Sequence, residues 1–482
     1  MSSPGTGTAS LLVASNRGPL QIVAADDSHE DEVRRGSGGL VSGMQAALAA
    51  TPDAIWISAA MNDRERVLAR RSPGGRISDV PFVADALGGD FDVRMLPIDA
   101  TTFRNAYNGI ANSTLWFVLH RLYDLPTAPS FDSSWRRQWA SYVRLNQAFA
   151  DALAESAAPG ARVMVQDYHL FLVPRLLRRQ RPDVRIGFFT HTPWVNPSDF
   201  GVLPDDVVRD LVDGMLGADV LGFHTERWAG LFRETALTVL GQDAPGVRVF
   251  PLGTDADEMR GLADRPAVDK RVRALDETVG DRLLIGRVDR TELSKNVYRG
   301  LLAYRELLRT RPEWRGRVVH AVYNNPSRED VPAYREYTAR IERLADEIVD
   351  EFETEDWTPL LFDIGDDYPA ALAIMRRSDV VFVNSIRDGM NLVVLEGAVL
   401  SEREPAVVLS RETGAAEVLG DDALLVNPFD VAATAQTLVE ALIMPQAERA
   451  ARAARMRDAA VALPPAAWFR AQLDELEKTT AG

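Results

Sequence analysis

Cysteine is absent from the 482-residue chain, so neither a disulfide nor a thiolate metal site can be built. The six histidines are dispersed and lack HExxH-type ligand spacing. Lysine is rarer still. Lys270, Lys295 and Lys478 stand alone among cations that are otherwise arginine, which singles out a lysine in a polar turn at 295. No apolar run approaches the roughly 20 residues of a membrane span. No basic, signal-like leader is evident either: the first cation is Arg17, after a Ser/Gly/Thr-rich stretch. A surplus of positive charge is also missing. The net charge of −16 argues against nucleic acid or an anionic membrane as the main partner. Any phosphorylated ligand must therefore be met by cations gathered locally. A cytoplasmic location is the expectation.

What is present is a soluble globular composition, 46% hydrophobic and 26% charged. The length allows about two to four domains. Short apolar strands alternate with helical periodicity: Leu11–Ala14, Ala54–Ser58, Arg162–Val165, Ile186–Thr190, Val220–Phe223 and Val247–Phe250 are expected strands. A polar, acidic loop is expected after Pro19, through Asp26, Asp27, Glu30 and Asp31, and a helix from Leu40 to Ala50. Thr101 to Arg121 is expected to be helical throughout. Pro251-Leu252-Gly253 punctuates the chain, and the alternation restarts with strands at Leu283–Val288, Val318–Tyr323, Leu360–Ile364, Val380–Val383, Val407–Leu409 and Ala423–Val426. Regular βαβ alternation predicts parallel sheets covered on both faces. The fold class is α/β, with two doubly wound Rossmann-like domains facing a central cleft. They span 1–253 and 254–463, and a closing helix at about 464–482 packs back on the first.

Six polar stretches fall at predicted strand ends, where open α/β sheets bind ligands. The first is Ser15-Asn16-Arg17-Gly18-Pro19, with the glycines Gly36, Gly38 and Gly39 opening the next helix. Arg17 could fork a phosphate, or be a surface arginine. The second is Gln166-Asp167-Tyr168-His169-Leu170, where Asp167 could line a site or cap the next helix. The third is His191-Thr192-Pro193-Trp194-Val195-Asn196-Pro197, where two prolines fix the loop of a histidine that could serve a site or be structural. In the fourth, Gly286 to Asn296, Arg290 and Lys295 could converge on a departing diphosphate or be solvated loop cations. Asn324-Asn325-Pro326-Ser327-Arg328 is the fifth. The sixth, Asn384 to Glu396, joins a buried strand to a helix start whose backbone N–H groups can face an anion.

In these residues the chain resembles the trehalose-6-phosphate synthase family, retaining glycosyltransferases of the two-Rossmann GT-B fold. The matches run in order over nearly the whole chain: Ser15-Asn16-Arg17, Gly38-Gly39-Leu40, Asp167-Tyr168-His169, His191-Thr192-Pro193, Arg290 with Lys295, Arg328, Trp357-Thr358-Pro359, and Arg387 to Val393 with Glu396. The resemblance implies transfer of glucose from a nucleotide diphosphate glucose to glucose 6-phosphate, giving α,α-trehalose 6-phosphate. It implies that Arg17, Tyr107, Trp116 and Arg328 hold the acceptor phosphate, and that Asp167 and His169 line the acceptor site. Gly38, Gly39, Arg290 and Lys295 would meet the donor diphosphate, and His191 and Asp388 the transferred glucose. Gly389, Met390, Asn391, Leu392 and Val393 would cradle the diphosphate, and Glu396 would contact the ribose. Catalysis would rest on Arg290, Lys295, His191 and Asp388, with no metal and no other cofactor. The expected partners are the two small-molecule substrates, and a homo-oligomer is compatible with the sequence.

Two departures matter. A second tryptophan common in the family shortly after Trp56 is missing from Trp56-Ile57-Ser58-Ala59-Ala60, and Asn296 replaces the usual glycine after Lys295. Both, with Asn324-Asn325-Pro326, resemble an actinobacterial branch that uses GDP-sugars. GDP-glucose is therefore favoured as donor, with UDP-glucose open. That branch includes pseudo-glycosyltransferases, which couple a nucleotide-cyclitol to an amino-cyclitol phosphate. These depart from Arg-Asp-Gly-Met, which this chain keeps at 387–390, and true glucosyl transfer is favoured on that ground. A non-catalytic sugar-phosphate sensor is a further alternative.

Overall fold

A computed structural model describes residues 8–24, 31–35, 44–45, 48, 51, 53–87 and 91–479. The chain separates into two compact units. One is Met1–Leu252 with Pro465–Gly482, the other Gly253–Pro464.

The first unit holds strands β1 (Ala9–Ser15), β2 (Leu20–Ala24), β3 (Asp31–Arg35), β4 (Ile55–Ala59), β5 (Asp92–Leu96), β6 (Ala157–Gln166), β7 (Arg185–Thr190), β8 (Val220–Phe223) and β9 (Val247–Val249). Seven of them form one sheet in the order β5-β4-β1-β6-β7-β8-β9, with every pair parallel. Its inner strands are apolar because helices cover both faces. Leu11, Val13, Val163 and Phe188 are all buried. The helix Pro465–Glu477 packs on this sheet, with the Trp468 ring 4.9 Å from that of Phe189.

One expectation fails in this unit. The segment expected as a polar loop forms an antiparallel ladder, with Leu20 opposite Arg35 and Ala24 opposite Asp31. Ile22 is buried and its backbone N–H is held by Glu65 at 3.0 Å, so tertiary contacts stabilise a strand that charge patterning concealed. The helix expected from Thr101 to about Arg121 is present as one continuous helical stretch, Ala100–Leu119. Asn105–Leu115 is wound as a π-helix between α-helical turns, a form that recurs at functional sites. The helix expected from Leu40 to Ala50 lies largely outside the described residues.

The second unit holds β10 (Leu283–Arg290), β11 (Val318–Asn325), β12 (Leu360–Ile364), β13 (Val380–Val383), β14 (Ala406–Ser410) and β15 (Leu424–Val426). They form a six-stranded parallel sheet in the order β12-β11-β10-β13-β14-β15. Its core is a continuous cluster that includes Leu284, Ile285, Val319, Phe382 and Leu395. The helix Gln446–Val461 was not anticipated, because its Ala/Arg-rich sequence buries only Ala453, Met456 and Ala460.

Strand order reverses between β1 and β6 in the first sheet and between β10 and β13 in the second. At such switch points the loops leaving the carboxyl ends diverge and open a crevice. Among the described residues no helix is long and apolar enough to cross a membrane.

Candidate functional site

In the first unit the loops after β1, β6 and β7 carry the expected residues. Trp56 Nε1 donates to Ser15 Oγ at 2.7 Å, and Ser15 Oγ donates to the carbonyl of Arg17 at 2.5 Å, which fixes the backbone at the end of β1. From there the exposed Arg17 side chain donates to Tyr107 Oη at 3.1 Å. Tyr107, on the π-helical segment, stacks on His169 with ring centroids 5.5 Å apart. His169 lies against Tyr168 at 4.0 Å, and Trp116 against Tyr168 at 5.7 Å. Arg17, Tyr107, His169 and Trp116 are thus linked into one aromatic-walled, cation-bearing cluster.

Asp167 does not act as a side-chain cap. Its side chain makes no cap hydrogen bond to the following helical turn, and its φ of 73° is in the left-handed region. Its carboxylate instead accepts from the backbone N–H of His191 at 3.1 Å. A φ of 73° lies in a backbone region that non-glycine residues rarely adopt. The His191 ring lies 3.0 Å from Gln166 Oε1 through Nε2. Enclosure and the nearby His224 hold its pKa well below the usual histidine range, so the imidazole is neutral.

In the second unit β10 ends in a charged network. Arg287, almost fully buried, pairs with Asp289 at 2.9 Å and also donates to Asn384 Oδ1 and to the carbonyl of Lys295. Lys295 Nζ is 2.6 Å from Asp388 Oδ2 and 4.0 Å from Asp289 Oδ1. Burial works against the ammonium, but Asp388 and Asp289 outweigh it and raise its pKa. For Asp289 burial wins over Arg287 and Lys295, and its pKa is raised. Asp388 also accepts from Asn391 Nδ2 at 3.0 Å.

The turn around Asp388 is clamped by the segment after β14. Asp388 N donates to the Glu412 carbonyl at 3.2 Å, Gly414 N to the Asp388 carbonyl at 3.1 Å, and Ala415 N to the Met390 carbonyl at 2.8 Å. A Cβ at Gly414 would lie 2.0 Å from the Gly389 carbonyl oxygen, so only glycine permits this approach. Asn391, at φ 77°, caps the helix Leu392–Leu400 by accepting from Val394 N at 3.2 Å. The helix start at Leu392 and Val393 therefore presents its first N–H groups at the switch point. Farther along this helix, burial pushes the Glu396 carboxyl up to about 7, with Lys295 opposing.

Arg290 reaches outward, its side chain 55% exposed, and pairs with Glu292 at 3.0 Å. Arg328 donates to Tyr334 Oη at 2.6 Å. The structure brings Lys295 and Asp388 into direct contact, and Glu396 close enough to feel Lys295. Gly38 and Gly39 lie outside the described residues. Arg287, Asp289 and Glu292 were missed as contributors. The signal was available for the first two: inward-facing charges at alternate positions of a strand covered on both faces are costly unless they serve a site.

A family model described as glycosyltransferase family 20 matches residues 9–478. The chain belongs to glycosyltransferase family 20. Its fold is GT-B, two Rossmann-like units built on parallel sheets. Among relatives of this family 20 chain is a bifunctional trehalose-6-phosphate synthase/phosphatase of Thermoproteus tenax. It is 31% identical over 473 residues, covering 93% of this chain and 61% of the relative. A validamine 7-phosphate valienyltransferase of Streptomyces hygroscopicus subsp. jinggangensis is 32% identical, covering 87% of this chain and 85% of that one. The crystal structure of a UDP-forming α,α-trehalose-phosphate synthase from Burkholderia xenovorans in complex with glucose-6-phosphate is similar with a TM-score of 0.81. It is 28% identical and covers 97% of this chain and 99% of that one. The family 20 chain spans between 54% and 61% of the length of three of the curated relatives it matches.

Proposed function

We propose that the chain transfers glucose, with retention, from a nucleotide diphosphate glucose to glucose 6-phosphate, giving α,α-trehalose 6-phosphate. The observation that carries the proposal is the Lys295–Asp388 contact at the β10/β13 switch point, within an intact Arg387-Asp388-Gly389-Met390 turn. A cation for the leaving group and a carboxylate for the sugar hydroxyls stand there side by side.

In this reading Arg17, Tyr107, Trp116 and Arg328 bind the acceptor's phosphate, and Asp167 and His169 its sugar. Asp388 and the neutral His191 orient the transferred glucose, and Glu396 accepts from the ribose. The reaction is a front-face substitution. The anomeric C–O bond to the diphosphate breaks, and the acceptor hydroxyl oxygen forms the new bond on the same face. Its proton passes to the leaving phosphate oxygen. Arg290, Lys295 and the helix N-terminus at Leu392 take up the charge that develops on the diphosphate, the kind of preorganised stabilisation that dominates many enzymatic rates. These groups serve without a metal ion.

The donor base is an open choice within the proposal. The branch resemblance favours GDP-glucose, whereas the Burkholderia relative is named as UDP-forming. A second reading, cyclitol coupling, is kept because the Streptomyces valienyltransferase matches over 85% of its own length. Incubation with each common nucleotide-glucose and glucose 6-phosphate, with and without EDTA, tests the proposal by NMR of the product. An α,α-linked disaccharide phosphate supports it. No such product with any donor, alongside coupling of a nucleotide-cyclitol to an amino-cyclitol phosphate, would overturn it.

A further inference from the structure

Glu292 is a carboxylate with no solvent exposure in the turn that follows β10. Its Oε1 pairs with Arg290 at 3.0 Å and accepts from Ser327 Oγ at 3.0 Å. Arg290 is the last residue of β10, and Ser327 lies on the loop after β11. Ser327 immediately precedes Arg328, whose backbone is held at φ 50° in the left-handed region that arginine rarely adopts. Main-chain bonds strengthen the arrangement: Glu292 N donates to the Arg290 carbonyl at 2.7 Å, and Lys295 N to the Glu292 carbonyl at 3.0 Å.

A buried carboxylate is costly unless cations surround it. Here burial alone would raise its pKa, yet Arg290, Arg328 and Lys295 together hold it down at about 2. The carboxylate therefore stays charged at any working pH, and its charge is felt by all three cations. With no solvent exposure, the carboxylate exerts its role through its neighbours.

We infer that Glu292 is a positioning residue that yokes the leaving-group cation Arg290 to the Ser327–Arg328 turn, so that one buried carboxylate sets both the donor-diphosphate and the acceptor-phosphate contacts. The inference deepens the proposed function and rests on its assignment of Arg290 and Arg328. Two loops tied to one anchor keep a fixed spacing, and small errors in the placement of reacting groups cost up to about 100-fold in rate.

The test compares Glu292→Gln, Glu292→Asp and Ser327→Ala by titration calorimetry and steady-state kinetics. The probes are UDP, GDP, glucose 6-phosphate and inorganic phosphate. Glu292→Gln keeps the shape but removes the charge. It is expected to weaken both nucleotide diphosphate and sugar phosphate and to lower kcat by about 10- to 100-fold. Glu292→Asp, which retains the charge, should recover part of each loss. Ser327→Ala leaves the Arg290 pair intact, so it should weaken glucose 6-phosphate alone and leave nucleotide affinity within about twofold; its site is partly exposed and should fold normally. Equal loss of both ligands in Ser327→Ala, or loss of nucleotide alone in Glu292→Gln, would overturn the inference. Calorimetry reads these affinities without turnover. Failure of the glucosyl-transfer reading would show as absent product in the wild type, separately from the pattern of binding losses.

Discussion

Replacing Lys295 by methionine should expose how much of the second unit's stability is held in one ion pair. The ammonium and its partner Asp388 are 2.6 Å apart, with side chains only 11% and 16% exposed. Asp289, with no exposure, is 4.0 Å away on the other side. Methionine fills the same volume but strands a carboxylate in a poorly solvated turn. Removing one member of a buried pair costs about 3–5 kcal/mol, equivalent to a fall in Tm of roughly 6–20 °C for a unit of this size. In the wild type Lys295 titrates above its ordinary 10.5, so its contribution is complete below that pH and is lost only as pH rises through the raised folded value. Calorimetric unfolding of Lys295→Met, Asp388→Asn and the double variant closes a thermodynamic cycle. A coupling of about 1–3 kcal/mol is expected. Strictly additive losses would refute the claim that these two groups support each other.

Arg290→Ala should lower turnover by about 100-fold or more, the cost of removing a principal transition-state donor; unchanged kcat would remove it from the leaving-group role. Arg17→Ala should raise the KM for glucose 6-phosphate by roughly 10- to 150-fold, the worth of a charged hydrogen bond, while calorimetric nucleotide affinity stays at the wild-type value. Glu396→Gln should change the slope of stability against pH. The folded carboxyl titrates at about 7 against an ordinary 4.5, so its favourable neutral form is fully present below 4.5 and is lost as pH rises through 7. The difference amounts to at most about 3 kcal/mol, and denaturant midpoints measured at pH 5 and pH 8 should lie closer together in the variant.

The sheets were legible because their strands are short apolar runs between turn residues. Val380–Val383 and Leu360–Ile364 coincide with the expected bounds, since burial on both faces leaves little ambiguity. The hairpin of β2 and β3 was not, because Asp31-Glu32-Val33-Arg34-Arg35 carries too few apolar residues to suggest a strand. Its pairing partner supplies what the local pattern lacks. At the candidate site the contrast is similar. Arg17, Asp167, Lys295 and Asp388 occupy strand ends and could be picked out one by one. Their contacts could not: Asp167 serving the His191 backbone, or Lys295 lying against Asp388, depends on loops far apart in the chain. Glu292 was hidden for the opposite reason. A glutamate in a charged turn looks solvated, and only the fold reveals that it is enclosed.

The helix Pro465–Glu477 gives the chain an unequal topology. The second unit is one uninterrupted stretch, Gly253–Pro464, inserted between two pieces of the first. It can be cut out with a single pair of primers. The first unit cannot, because a fragment ending at Leu252 discards Trp468 and the ion pairs Arg162–Glu477 and Arg248–Glu475 that seat the helix on its sheet. Dissection therefore calls for a short flexible splice from 252 to 465. It also follows that an insertion or deletion anywhere in the second unit is carried by a segment tethered at both ends to the first.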